Sequence, residues 1–147
     1  MTMTKKERYD AIEKACKDFR YNNLRTLQNG DRIEMLLPIL YDDNDGACIF
    51  ITPQPSDEDE LYVKVSDAGE TSFHQELTMQ EIRDLCMRYH LQFDDMPDYE
   101  QTPFECEIYK VVHIDDLDKA VWQIIMLIRD SYEYVMARRI ISRIKQR

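Results

Sequence analysis

Residues 117–128 constrain the fold more than any other stretch. The run Leu117-Asp118-Lys119-Ala120-Val121-Trp122-Gln123-Ile124-Ile125-Met126-Leu127-Ile128 is apolar almost all round a helical wheel. A helix of that kind has to be buried. No apolar run reaches the ~18 residues of a membrane span, so the cover must come from the rest of the chain. At 147 residues and 44% apolar side chains, one domain can build a core without disulfides or a metal. With only 3 Gly and 5 Pro, the composition excludes collagen, an end-to-end coiled coil and wholesale disorder. The opening Met1-Thr2-Met3-Thr4-Lys5-Lys6-Glu7-Arg8 leads into a polar amphipathic stretch and carries no secretory signal pattern.

Cover for the apolar helix is read in the middle of the chain. Leu24–Leu27 reads as a short strand ended by the turn Asn29-Gly30-Asp31. Ile33–Tyr41 is apolar, with Pro38 marking an edge position or a bulge. Asp42-Asp43-Asn44-Asp45-Gly46 is a turn, and Ala47–Thr52 a short buried strand. Leu61–Val65 alternates as a half-buried strand should, Ser66-Asp67-Ala68-Gly69 turns, and Glu70–Gln75 returns as its partner strand. Phe104–Val112 is the last strand, with Phe104, Cys106, Ile108 and Lys110 on one face.

Two capping boxes mark helices around these strands. Thr4 and Glu7 open one over residues 4–20, with Tyr9, Ile12, Cys16 and Phe19 as its apolar stripe; Thr78 and Glu81 open the other, with Ile82, Leu85, Cys86 and Tyr89 as its stripe. Asp115 is expected to cap the final helix, which runs to about residue 145. The expected fold is therefore one α+β domain over 1–147. An antiparallel sheet of about five or six strands carries an N-terminal helix, a short middle helix and a long C-terminal helix. Tyr132, Val135, Ile140 and Ile144 extend the apolar face of that last helix beyond what a small domain needs. Its basic end, 131–147, is expected to protrude and pack on a second copy.

Charge is segregated along the chain. The formal net charge is −10: residues 1–30 carry +3, residues 31–118 carry −18 and residues 119–147 carry +5. The acids cluster in expected loops and element ends: Asp42, Asp43 and Asp45; Asp57, Glu58, Asp59 and Glu60; Asp94, Asp95, Asp98 and Glu100; Asp115, Asp116 and Asp118. Such loops on one face would project a negative field of several kT. Three readings compete. The loops are solvated; they imitate nucleic-acid phosphate and occupy a basic groove; or they are neutralised by the basic terminal helices, within the chain or across a dimer. Direct nucleic-acid binding by the middle segment is disfavoured, because phosphate contacts need Lys and Arg.

Motifs for chemistry are incomplete. Asp98 and Glu107-Ile108-Tyr109-Lys110 fall one residue off nuclease spacing, so Glu107 and Lys110 lie on opposite strand faces. Cys86 and His90 sit at i, i+4 without a third group. The cysteines, 32, 38 and 20 residues apart, form no CxxC pair, which argues for free buried thiols in a reducing, cytoplasmic setting. Glycines at 30, 46 and 69 build no phosphate cradle, and Asp42–Gly46 lacks the spacing of an EF-hand. No cofactor or metal is expected. Tyr41 and Tyr99 stand beside acidic loops and suit a protein interface.

One segment carries a resemblance. Leu61-Tyr62-Val63-Lys64-Val65-Ser66-Asp67-Ala68-Gly69-Glu70-Thr71 resembles the (L/V)-x-(S/T)-D-x-G-(E/D)-T signature of an uncharacterised family of bacterial, phage and mobile-element proteins. The element order resembles it over residues 5–130, but only 66–71 is specific. The resemblance implies a prophage or mobile-element context and no assigned activity. The residues themselves read as a hairpin turn, with Gly69 supplying positive φ and Asp67 bonding the backbone. Joined to the charge pattern, this gives the expectation of a non-catalytic acidic inhibitor of the anti-CRISPR kind, blocking a host protein's basic nucleic-acid-binding groove. Its candidate contacts are Asp42, Asp43, Asp45, Asp57, Glu58, Asp59, Glu60, Asp94, Asp95 and Asp98. The alternative is a homo-oligomeric interaction subunit that pairs through its C-terminal helix, the acidic loops only solubilising. Contact of the basic end, 138–147, with nucleic acid is a further reading.

Overall fold

The computed structural model describes residues 3–17, 32–55, 60–94 and 106–146, together with the backbone path of 25–29. The chain forms α1 (Lys5–Lys17), β1 (Arg25–Asn29), β2 (Arg32–Leu40), β3 (Gly46–Pro53), β4 (Tyr62–Ser66), α2 (Glu70–His74), α3 (Met79–Tyr89), β5 (Gln92–Phe93), β6 (Ile108–His113), a 3-10 turn (Ile114–Asp116) and α4 (Leu117–Lys145). Among the described residues six strands make one antiparallel sheet in the order β1-β2-β3-β4-β6-β5. This is the expected α+β architecture.

Strand period 2 explains the layering. Ile33, Met35 and Leu37 of β2, Ala47, Ile49 and Ile51 of β3, Val63 and Val65 of β4 and Ile108 of β6 all face one side and are buried. They form one core with Tyr9, Ile12 and Cys16 of α1, Ile82, Leu85 and Cys86 of α3, and Ala120, Ile124, Leu127 and Ile128 of α4. The sheet and α3 thus cover one side of 117–128, while Asp118, Lys119 and Trp122 face outward, so the run is buried on one face and not all round as expected. The opposite sheet face is more open, and its cations lie over aromatic rings: Arg32 stands 4.1 Å from the centroid of Phe50, and Lys64 4.6 Å from that of Tyr109. Among the described residues no helix is long and apolar enough to cross a membrane.

Several local expectations hold for stated reasons. The pairing of β2 with β3 shifts register between Leu36 and Leu40, the bulge that Pro38 requires in an interior strand. The Thr78–Glu81 box is complete: Thr78 Oγ1 accepts from the Glu81 N–H at 3.2 Å and Glu81 Oε1 accepts from the Thr78 N–H at 2.9 Å. Thr4 Oγ1 likewise accepts from the Glu7 N–H at 3.2 Å. Cys16, Cys86 and Cys106 are free and buried, and Cys48 is free and half-buried. Burial pushes the Cys16 and Cys86 thiols up to about 12, which makes them inert.

Two expectations are corrected. Residues 70–74 are helix, not the return strand of a hairpin, and β4 pairs instead with β6, with Ser66 opposite Tyr109 and Tyr62 opposite His113. Asp115 does not cap α4. The His113 side chain accepts from the Asp115 N–H at 3.2 Å and opens a 3-10 turn that leads into the helix. His90 is the left-handed C-cap of α3 at φ 56°, and its backbone N–H donates to the Cys86 carbonyl. The expected turn at Gly30-Asp31, Phe19 and Phe104 lie outside the described residues.

Candidate functional site

The most specific sequence motif folds into a buried polar knot. Asp67 follows β4 directly and is fully buried. Its Oδ1 accepts from the N–H groups of Gly69 at 2.9 Å and Ile108 at 2.8 Å, and its Oδ2 from the N–H of Thr71 at 3.3 Å. The turn needs a left-handed residue at Gly69, φ 81°, before α2 can start. Ser72 extends the knot: its Oγ accepts from the Cys106 N–H at 2.8 Å and lies 3.0 Å from the Gly69 carbonyl. Ser66 Oγ donates to Glu107 at 2.8 Å, and Glu107 meets Lys64 at 2.6 Å. One carboxylate thus organises the exit of β4, the first turn of α2 and the entry of β6. Burial pushes Asp67 up to about 6 against these hydrogen bonds. Among the described residues no buried side-chain nitrogen or oxygen lacks a partner. Asp67 is a structural cap, shut off from any reactant.

The outward side of α2 receives the acidic turn. Asn44 takes φ 70°, a left-handed value that Asn tolerates, and closes Asp42–Asp45 under Tyr41. The His74 ring stacks on Tyr41 with centroids 4.6 Å apart and planes 11° apart. Its Nδ1 bonds Asp43 and its Nε2 lies 2.8 Å from Glu70 Oε2, while Asp45 Oδ2 is 3.7 Å from Nδ1. Burial alone would lower the His74 pKa, but the hydrogen bonds to Asp43 and Glu70 outweigh it and raise it. The same bond to His74 holds Asp43 below the usual carboxylate range. Asp43, Asp45 and His74 place their ligand atoms within 4.8 Å of one another, but the ring is already satisfied on both nitrogens by carboxylates. As it stands the cluster is an ion-pair clasp. Gln75 completes it, accepting from the Asp42 N–H at 2.9 Å and donating to Ser131 of α4 at 3.0 Å.

Helix α4 runs past this clasp and leaves the domain. Its last buried residue is Val135. Arg138 donates to Glu81 at 2.8 Å and to the Gln75 carbonyl at 2.6 Å, and Arg139 grips both oxygens of Asp42 at 2.6 and 2.5 Å. Residues 139–146 are exposed. Four large apolar side chains at this end face water: Met136 at 49% exposure, Ile140 at 54%, Ile141 at 51% and Ile144 at 64%. Residues 136, 140 and 144 are one turn apart and line one face of the helix, with 141 beside it.

Five of the ten expected contact residues are described, and these five are not gathered at one end of the sheet. Asp42 and Asp43 are paired within the chain, to Arg139 and His74. Asp45, Glu60 and Asp94 are exposed. Strand register puts the Asp42–Asp45 turn and Asp94 at the Ser66 end of the sheet, and Glu60 at the opposite, His113 end. Asp57, Glu58, Asp59, Asp95 and Asp98 lie outside the described residues, as does Tyr99. The residues that sequence reasoning missed are Glu70 and His74. Their i, i+4 spacing was the signal, hidden because 70–75 was read as a strand.

Comparison with family models, with curated proteins and with solved structures finds no match to the chain.

Proposed function

We propose that this chain is a non-catalytic protein-binding module whose binding element is the far end of α4. The observation that carries this reading is the row Met136, Ile140, Ile141 and Ile144, exposed beyond the last buried residue of the helix. Helices gain most of their stability from packing an apolar face rather than from propensity. Isoleucines are weak helix formers, and on a projecting turn they bring nothing to a monomer. They fit a helix that is completed by a partner's surface. The motif turn and the His74 clasp serve this element from behind, since Gln75 and Asp42 hold Ser131 and Arg139 of α4.

This reading ranks above the charge decoy. Of its five described contacts, Asp42 and Asp43 are neutralised by groups of the same chain, which leaves Asp45, Glu60 and Asp94 at two ends of the sheet. The mobile-element setting implied by Ser66–Thr71 suits either kind of contact protein.

A photo-crosslinking side chain at position 140 tests the element, with the same group at position 87 as control, because Met87 is 77% exposed on another helix. Crosslinks to protein at 140 and not at 87 are expected. Equal yields at both positions would sink the reading.

A further inference from the structure

The identity of the partner can be argued from charge, and the inference rests on the reading of the α4 end as the binding element. From Met136 to Arg147 the chain carries five basic and no acidic side chains, whereas its other 135 residues carry 14 basic and 29 acidic ones, a net of −15. A phosphate-bearing surface would be drawn to the end and repelled by the body. The conflict is local, because Asp42, Asp43, Glu81 and Glu133 stand at the root of the projecting end, where Arg138 and Arg139 are engaged by Glu81 and Asp42. An acidic protein surface without cations meets the same repulsion, but a second copy of this chain also brings a basic end, so each end can lie on the acidic body of the other.

We propose that the occupant of the Met136–Ile144 face is a second copy of this chain, with the two α4 ends crossing antiparallel about a two-fold axis near residue 138. Such a crossing sets Met136 of each copy against Ile140 of the other, and it brings Arg143 level with Glu133 of the other copy. Glu133 is available for this: its side chain is 65% exposed and meets Arg88 only at 3.6 Å. The interface is isologous, as two-fold interfaces are. The rows at i and i+4 supply the ridges by which helices interdigitate. Each positive end approaches the negative body of its partner, so association is steered and weakens with salt.

The experiment is analytical ultracentrifugation of the full chain across concentration, at low and high salt, with three variants. The native chain is expected to dimerise, more weakly in high salt. Ile140→Glu with Ile144→Glu should be monomeric, with the thermal midpoint of the native chain diluted to its monomer. Arg143→Glu should weaken the dimer about tenfold, and Glu133→Arg added to it should recover most of that loss. A native chain that stays monomeric at every concentration overturns the proposal, and so does a dimer indifferent to the isoleucine changes or a charge swap without recovery. If the native chain is monomeric but crosslinks other proteins at position 140, the binding element stands and only the second copy falls. Binding of phosphatidylserine vesicles or duplex DNA by a monomeric native chain, lost in the isoleucine variant, would overturn the proposal in favour of a phosphate surface.

Discussion

The turn around Asp67 and the far end of α4 invert the usual rule of the interior in opposite senses. One buries a carboxylate among backbone amides. The other leaves three isoleucines and a methionine in water. Only the first inversion is compensated inside the chain, since every buried side-chain nitrogen and oxygen of that turn has its partner. The second is uncompensated, and an uncompensated apolar row points outside the molecule. Polar burial here builds the fold, and apolar exposure marks where the fold stops serving itself.

The contrast breaks most visibly at Asp67. Replacing it with Ala strips acceptors from the N–H groups of Gly69, Thr71 and Ile108 at once, at a fully buried position. Losing one side of a buried charged network costs about 3–5 kcal/mol, a large part of a typical total of about 5–15. Urea denaturation of Asp67→Ala should show it, with α2 and the entry of β6 losing amide protection together. A loss below about 1 kcal/mol would mean that the turn is held by something else.

Titration probes the same turn without mutation. Asp67 is raised from 3.8 to about 6 in the folded state, so the native form binds more protons than the unfolded one between these values. Its contribution is present at low pH and declines as pH rises through 6, by about 3 kcal/mol. His74 adds to this in the same direction: its raised pKa gives stability present below 6.5 and lost as pH rises through the folded value. Asp43 and Asp130 are lowered and act oppositely, losing stability only toward strongly acidic pH. Denaturation midpoints should therefore be higher near pH 5.5 than near pH 8. His74→Gln should flatten the upper part of that slope and Asp67→Asn the lower part. A midpoint that rises toward pH 8 would contradict the assignment.

At the other region the expected effect on stability is near zero. Ile140→Glu with Ile144→Glu removes exposed apolar surface beyond the last buried residue, so the unfolding free energy of the monomer, measured in dilute solution, should move by less than about 0.5 kcal/mol while crosslinking at position 136 disappears. A loss of stability comparable to that of Asp67→Ala would mean that the end packs on its own domain and that the two regions are not opposites.

Much of this was legible in the letters. The period-2 strands, the Thr78–Glu81 box and the buried stripe within 117–128 each state a local preference that the fold agrees with. Segment 70–75 was not, because Thr71 and Phe73 alternate as a strand would. What decides it lies 30 to 41 residues away in sequence: Tyr41 on Thr71 Oγ1 at 3.2 Å, Ser72 on the Cys106 N–H and Asp67 on the Ile108 N–H. Long-range polar pairings of this kind leave no periodicity. For the same reason the acidic turn was legible as a cluster but not as a clasp, since Arg139 follows Asp42 by 97 residues. The projecting end of α4 was legible because it needs no partner to be noticed: an apolar row persists where a small domain has run out of core.

The smallest expected effect sits where the two regions meet. Arg139 is half-exposed and Asp42 more buried, with side-chain exposures of 49% and 27%, so solvent screens the pair and a double-mutant cycle should return about 0.2–1 kcal/mol of coupling. Its mechanical consequence is more distinct than its energy. Arg138 and Arg139 are the last contacts of α4 with the domain among the described residues, and Arg138 holds a different element, at Glu81. Removing Arg139 alone should leave the α3 contact intact but free α4 from the acidic turn, so that hydrogen exchange at residues 140–146 quickens while that at 120–135 does not. In high salt the native chain should come to resemble the variant, because the bond is a screened one. Equal exchange in both chains at low salt would mean that the clasp reaches only as far as Gln75 and Ser131, and that the exposed end is set by the helix alone.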